Sequence, residues 1–129
     1  IYTSGGDGRL YFGYQFANAN AEGSDFDRTT NMVTARVEQP LLRRWIADGE
    51  VRYFWDDYDN PNSLDFFDRA RDDNRFVLRA GLQKNFCSPV SLRFDYTFTD
   101  NDSNTENLFG VRFYDYSRHI FSTQLIFSL

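Results

Sequence analysis

The sequence predicts an all-β chain of six up-and-down antiparallel strands that wall a transmembrane β-barrel. Three observations predict it. Apolar and polar residues alternate through six separate stretches. The connections between those stretches alternate between short and long. Aromatic residues gather near both ends of the stretches. Side chains of a strand point to opposite faces with period two, so each stretch can be tested by parity.

The first stretch, RLYFGYQFANA, sets Leu10, Phe12, Tyr14 and Phe16 against Tyr11, Gly13, Gln15 and Ala17. The second, TNMVTARVEQ, sets Val33, Ala35 and Val37 against Thr34, Arg36 and Glu38. The third, WIADGEVRYFW, sets Trp45, Ala47, Val51, Tyr53 and Trp55 against Glu50, Arg52 and Phe54. The fourth, FVLRAGLQKNF, sets Phe76, Leu78, Ala80, Leu82 and Phe86 against Val77, Arg79 and Gln83. In the fifth, SLRFDYTFTD, Leu92, Phe94, Tyr96 and Phe98 oppose Arg93, Asp95, Thr97 and Thr99. The sixth, HIFSTQLIFSL, sets Phe121, Leu125 and Phe127 against Ser122, Gln124 and Ser128. Lys84 and Thr123 fall on the apolar side, and Ile120 and Ile126 on the polar side. Aromatic and β-branched residues favour strands over helices here.

The connections PLLRR and CSP are short, while those after the first, third and fifth stretches are long and polar. Compact soluble domains seldom hold long structureless loops. Membrane barrels have short turns at the periplasmic rim and long loops outside. A tilted strand of about 9–11 residues crosses the bilayer. Tyr14, Phe16, Tyr53, Trp55, Tyr96 and Phe98 would form an outer girdle, and Trp45, Phe86 and Phe127 an inner one. Phe12, Leu78, Phe94 and Phe121 would face lipid between them. Arg36, Glu38, Glu50, Arg52, Arg79, Arg93 and Asp95 would face the lumen, with Arg36 meeting Glu50 and Arg79 meeting Asp95. Soluble sandwiches and ligand-binding barrels alternate in the same way, with the apolar face turned inward.

Composition bounds the function. The 129 residues include 14 Phe, 8 Tyr and 2 Trp, and the net charge of −5 argues against a nucleic-acid partner. A single cysteine, Cys87, permits neither an internal disulfide nor a cysteine-based metal cluster. No apolar run reaches the length of a membrane helix. The opening IYTSGGDG has no start Met and reads as a mature or cut piece, with TSGGDG as a short turn entered from a further strand. Six strands are fewer than the eight of small membrane barrels. The chain therefore reads as part of a larger barrel, or as one whose remaining strands come from other copies.

Candidate chemistry is sparse, and no cofactor signature is present. DNDSNTE starts like a calcium loop, with Asp100, Asp102 and Asn104 at alternate positions. Thr105 then replaces the turn glycine, and Val111 stands at the closing glutamate position. DDYDNPNSLDFFDRARDD is rich in aspartates, including Asp56, Asp57, Asp65, Asp68, Asp72 and Asp73. Such loops read as solvated, or as weak divalent-ion or lipopolysaccharide-bridging sites. His119, the only histidine, lies near Ser117 and Asp115, but that spacing on a strand makes no triad. Its place is a girdle, and no enzyme is expected.

The stretch SLRFDYTFTDNDSN…FYDYSRHIFSTQLIFSL, with Asp102, Ser103, Asn104, Tyr114, Asp115, Tyr116 and Arg118, resembles the C-terminal end of proteobacterial outer-membrane barrels. The barrels in question are those of surface-lipoprotein export modifiers, of exopolysaccharide-operon outer-membrane proteins and of proteins with tetratricopeptide repeats. Ser122 and Phe127 fit the terminal insertion signal of such barrels; Gln124 and Leu129 depart from it. The resemblance implies that residues 1–129 are the C-terminal portion of one barrel domain in the outer membrane of a Gram-negative bacterium. Its surroundings would be outer-membrane lipid, lipopolysaccharide, the barrel-assembly machinery and partner subunits of an outer-membrane complex. The expected function is a porin-like pore or translocation channel component. A non-conducting barrel that anchors or scaffolds a larger assembly is the alternative, and a soluble ligand-binding β-barrel the third reading.

Overall fold

Strands joined by hairpins pair with their chain neighbours, and here every pairing follows that rule. The computed structural model describes residues 7–19, 27–41, 44–61, 65–67, 69–87 and 90–127. In these residues β1 (Arg9–Ala19), β2 (Arg28–Leu41), β3 (Trp45–Pro61), β4 (Ala70–Cys87), β5 (Val90–Ser103) and β6 (Tyr116–Phe127) form one antiparallel sheet. The strand order is β1-β2-β3-β4-β5-β6; β1 and β6 are the two edges, and the sheet is not closed.

The register carries the parity of the sequence across all six strands. One row runs Leu10, Val37, Gly49, Ala80, Tyr96 and Phe121, and the next runs Tyr11, Arg36, Glu50, Arg79, Thr97 and Ile120. The sheet therefore has an aromatic face and a charged face. A slip of one residue in any strand would turn its aromatic set onto the charged side. Lys84 stands on the aromatic face opposite Leu92, and its ammonium lies 4.8 Å from the centre of the Trp45 ring. Its aliphatic stem is thus compatible with that face while the charge finds a π-system.

The strands are longer than alternation alone suggests. β3 has 17 residues and β4 has 18. The acidic stretch read as a long loop after Trp55 continues β3 to Pro61 and begins β4 at Ala70. Likewise β5 runs on to Ser103, and β6 begins at Tyr116. Asp56 pairs with Asp73, and Asp57 with Asp72, before the register shifts on the way to Pro61. This part of the sheet, the long-loop end, is polar on both faces. The remainders of the PLLRR and CSP turns, the TSGG turn, Asp68 and Leu129 lie outside the described residues.

Burial is inverted relative to a soluble domain. Among the described residues Tyr58 is the only buried hydrophobic side chain. Phe12 is 77% exposed and Phe121 78%, whereas Asp95 is 8% exposed. The charged face is the more crowded one, holding the buried Ser91, Asp95, Thr99 and Asn101 of β5.

Candidate functional site

The charged face carries a lattice of ion pairs centred on Arg93. Its Nη1 lies 2.8 Å from Asp48 Oδ1, and its Nη2 lies 2.7 Å from Asp95 Oδ1. Arg79 reaches the same Asp95 oxygen at 3.4 Å. Asp48 and Asp95 share one register row with Gly81 between them. A Cβ on Gly81 would run into the Arg93 guanidinium and stand 2.6 Å from Asp48 Oδ1. The glycine is thus the gap through which Arg93 crosses from β5 to β3. Towards β2, Arg52 pairs with Glu50, and Arg36 with Glu38 at 3.6 Å. Four arginines meet four carboxylates, so the middle of this face is neutral.

The seven charged residues expected on one face all lie there. The expected Arg79–Asp95 pair forms. Arg36 and Glu50 do stand opposite each other in register, but each ion-pairs with its neighbour two residues along its own strand. Those i, i+2 side chains share a face, and a long arginine can reach either partner. Asp48 is the residue that parity reasoning passed over. It has the parity of Glu50 and Arg52, and that signal was sufficient to place it.

The aromatic face gathers the other expected set. Tyr14 donates to Asn31 Oδ1 at 2.6 Å, and Tyr53 to Asn74 Oδ1 at 3.4 Å. Tyr53 and Trp55 meet edge to face at 4.7 Å. Phe16, Tyr96, Phe98, Trp45, Phe94 and Phe127 lie on the same face. Phe12 and Leu78 share a row with Phe98, and Phe121 pairs with Tyr96, so these three stand level with the expected outer girdle instead of inside it, while Phe86 falls at the register shift between Asn85 and Cys87. His119 shares a 2.9 Å hydrogen bond with Tyr96, and its ring lies tilted against Phe98 at 4.9 Å. It does not meet Asp115, which accepts from the Ser103 amide at 2.7 Å, and Ser117 donates to Asp100 instead.

At the long-loop end the β5–β6 connection folds back over the charged face. Thr105, Glu106 and Asn107 run against Phe113, Arg112 and Val111 as a small hairpin. Its tip turns at Gly110, with φ at +72°, which glycine adopts without a Cβ penalty. Tyr114 then lies on the Arg71 guanidinium, 3.4 Å from ring centre to Cζ, with Tyr58 on Arg71 as well at 4.6 Å. Arg71 also pairs with Asp73, while Asp56 accepts from Thr30 and faces Arg75 at 3.6 Å. Asp56 and Asp73, expected to be solvated in a loop, are instead buried in the sheet beside arginines, while Arg75 Nε and the Thr105 hydroxyl are buried without a hydrogen-bond partner among the described residues.

Asp65 clasps this hairpin to the β3–β4 connection. Its carboxylate accepts from the Glu106 amide at 3.1 Å and from Arg69, which also reaches Glu106. The Arg69 hydrogen bond, with the backbone amides behind it, holds the Asp65 carboxyl well below the usual carboxylate range. Asp72 moves the other way: burial, then the charges of Asp57 and Asp73, push it up. Asp100, Asp102 and Asn104 turn to separate partners, namely Ser117, Arg112 and Asp72. Among the described residues no three metal-ligating side chains converge.

No family model, curated protein or solved structure matches this chain. The geometry alone therefore says what the sheet can do. It offers a charge-balanced face on one side, an apolar aromatic surface on the other, and a folded loop over one end of the charged face.

Proposed function

We propose that the chain forms part of the wall of an outer-membrane β-barrel whose lumen serves as a passage, with the β5–β6 loop narrowing its outer mouth. The observation that carries this reading is the inversion of burial. Six strands present apolar rows outward, and the crowded face holds ion pairs instead of a hydrophobic core. Water drives apolar surface inward at about 25 cal/mol per Å², so such a sheet calls for lipid on its aromatic side. The β3 and β4 lengths fit a strand that crosses the bilayer and continues beyond it.

A second reading, a non-conducting barrel that scaffolds an outer-membrane assembly, draws on the neutral lattice. Paired charges that brace a wall need not select an ion. Single-channel recording of the complete barrel in a salt gradient separates the two. With four arginines balanced by four carboxylates, the passage reading expects conductance with mild ion preference. Arg52→Ser with Arg93→Ser should then shift the reversal potential toward cation selectivity, because the carboxylates are left in excess. A barrel that inserts but stays silent, with and without the loop hairpin, contradicts the passage and supports the scaffold.

A further inference from the structure

The two open edges are charged differently from the rest of the sheet. On the charged face of β2 to β5 every arginine has a partner: Arg36, Arg52, Arg71, Arg75, Arg79 and Arg93 pair with carboxylates, and Arg28 donates to the Tyr58 hydroxyl. The edges break this rule. Arg9 on β1 and Arg118 on β6 stand on the same face, since Arg9 registers with Glu38 and Arg118 with Thr99. Among the described residues neither forms an ion pair. Each edge strand is also free of acids: β1 reads RLYFGYQFANA and β6 reads YSRHIFSTQLIF.

We infer that the strands which continue this sheet at β1 and β6 present carboxylates toward the charged face, and are therefore not the edge strands of a second copy. Pairing β6 of one copy with β1 of another is possible in direction and in apolar parity. It would bring Arg118 and Arg9 to a common wall with no acid on either strand. A wall that pairs its arginines everywhere else would then leave both without carboxylates from their new neighbours, at a desolvation cost that paired charges avoid. The occupant that fits is an antiparallel strand of other sequence, apolar at alternate positions to continue the aromatic face and bearing Asp or Glu between them. Main-chain hydrogen bonds would supply the affinity, and the inward carboxylate the choice of partner.

The inference rests on the barrel-wall reading, and its test is run both in detergent micelles and in detergent-free buffer so that the two can fail separately. A fluorescent strand peptide alternating valine with glutamate is titrated into the 129-residue chain, beside its valine–glutamine counterpart. The glutamate peptide should bind about tenfold more tightly, the scale of one charge-assisted hydrogen bond. Arg9→Gln with Arg118→Gln should erase the difference. Equal binding of the two peptides, or binding of neither, overturns the inference. So does self-closure: with Cys87→Ser, chains carrying Gln15→Cys and Ile120→Cys should give no intermolecular β1–β6 disulfide, and a discrete cross-linked ring would show a second copy in that place. A chain that ignores micelles yet prefers the glutamate peptide in buffer would count against the membrane and for the edge chemistry.

Discussion

Asp48 and Asp95 stand on either side of Gly81, and Arg93 joins them through the space its missing side chain leaves. Gly81 is kept small for the sake of the ion pair. Gly81→Ala should therefore destabilise the sheet by about 1.5–3 kcal/mol, the range for hydrogen bonds to charged groups. Asp48→Ala should cost a similar amount, and adding Gly81→Ala to it should cost little more, since the strut is already gone. Denaturant titration of the three variants in detergent checks this; fully additive losses would mean that Gly81 and Asp48 act independently. The parity of SLRFDYTFTD made Arg93 and Asp95 readable at once. Arg93's second partner lies 45 residues away in the chain, and period-two reasoning on one strand at a time does not choose among carboxylates on a shared face.

The elements were legible where apolar–polar alternation governs them, and not beyond. β1 emerges with the bounds its alternation predicts, Arg9–Ala19. β3 and β4 run past their alternating cores because residues such as Asp56, Asp57, Asp72 and Asp73 are polar on both faces, so no apolar row marks the strand. Backbone pairing continues there without a hydrophobic signal. The Asp65 clasp gives this end a pH dependence. Asp65 titrates below its unfolded value of about 3.9. Its contribution is thus fully present above that value and drains away as pH falls below it, because the proton binds the open form better. Asp72 is raised, so it takes its proton earlier in acidification and relieves repulsion with Asp57 and Asp73 rather than opening the clasp. Spin labels at Phe67 and Leu108 should hold a narrow distance distribution at pH 7 and still near pH 3, where the depressed carboxyl stays ionised, and broaden only on further acidification. Asp65→Asn should be broad at pH 7 and at pH 3. A distribution that stays narrow in Asp65→Asn would show that Asp65 does not hold the clasp.

For the whole molecule the decisive property is which medium each face meets. The totals of the sequence did not settle this, because 24 aromatic residues in a chain of net charge −5 suit a soluble barrel as well. Alternation placed the residues on two faces, and the register confirms that they stay on two faces across six strands. What period two leaves open is the direction of curvature, and the crowding of Asp95 against the exposure of Phe12 and Phe121 bears on it. The central claim is tested by a cysteine scan of β5 in the full-length protein with Cys87→Ser, each site carrying a bimane fluorophore, in vesicles of brominated lipid. Labels at Leu92, Phe94, Tyr96 and Phe98 should be quenched by the bromines, and labels at Arg93, Asp95, Thr97 and Thr99 should not. Quenching in the opposite phase, or no quenching at any of the eight, would contradict a wall that turns its aromatic face to lipid.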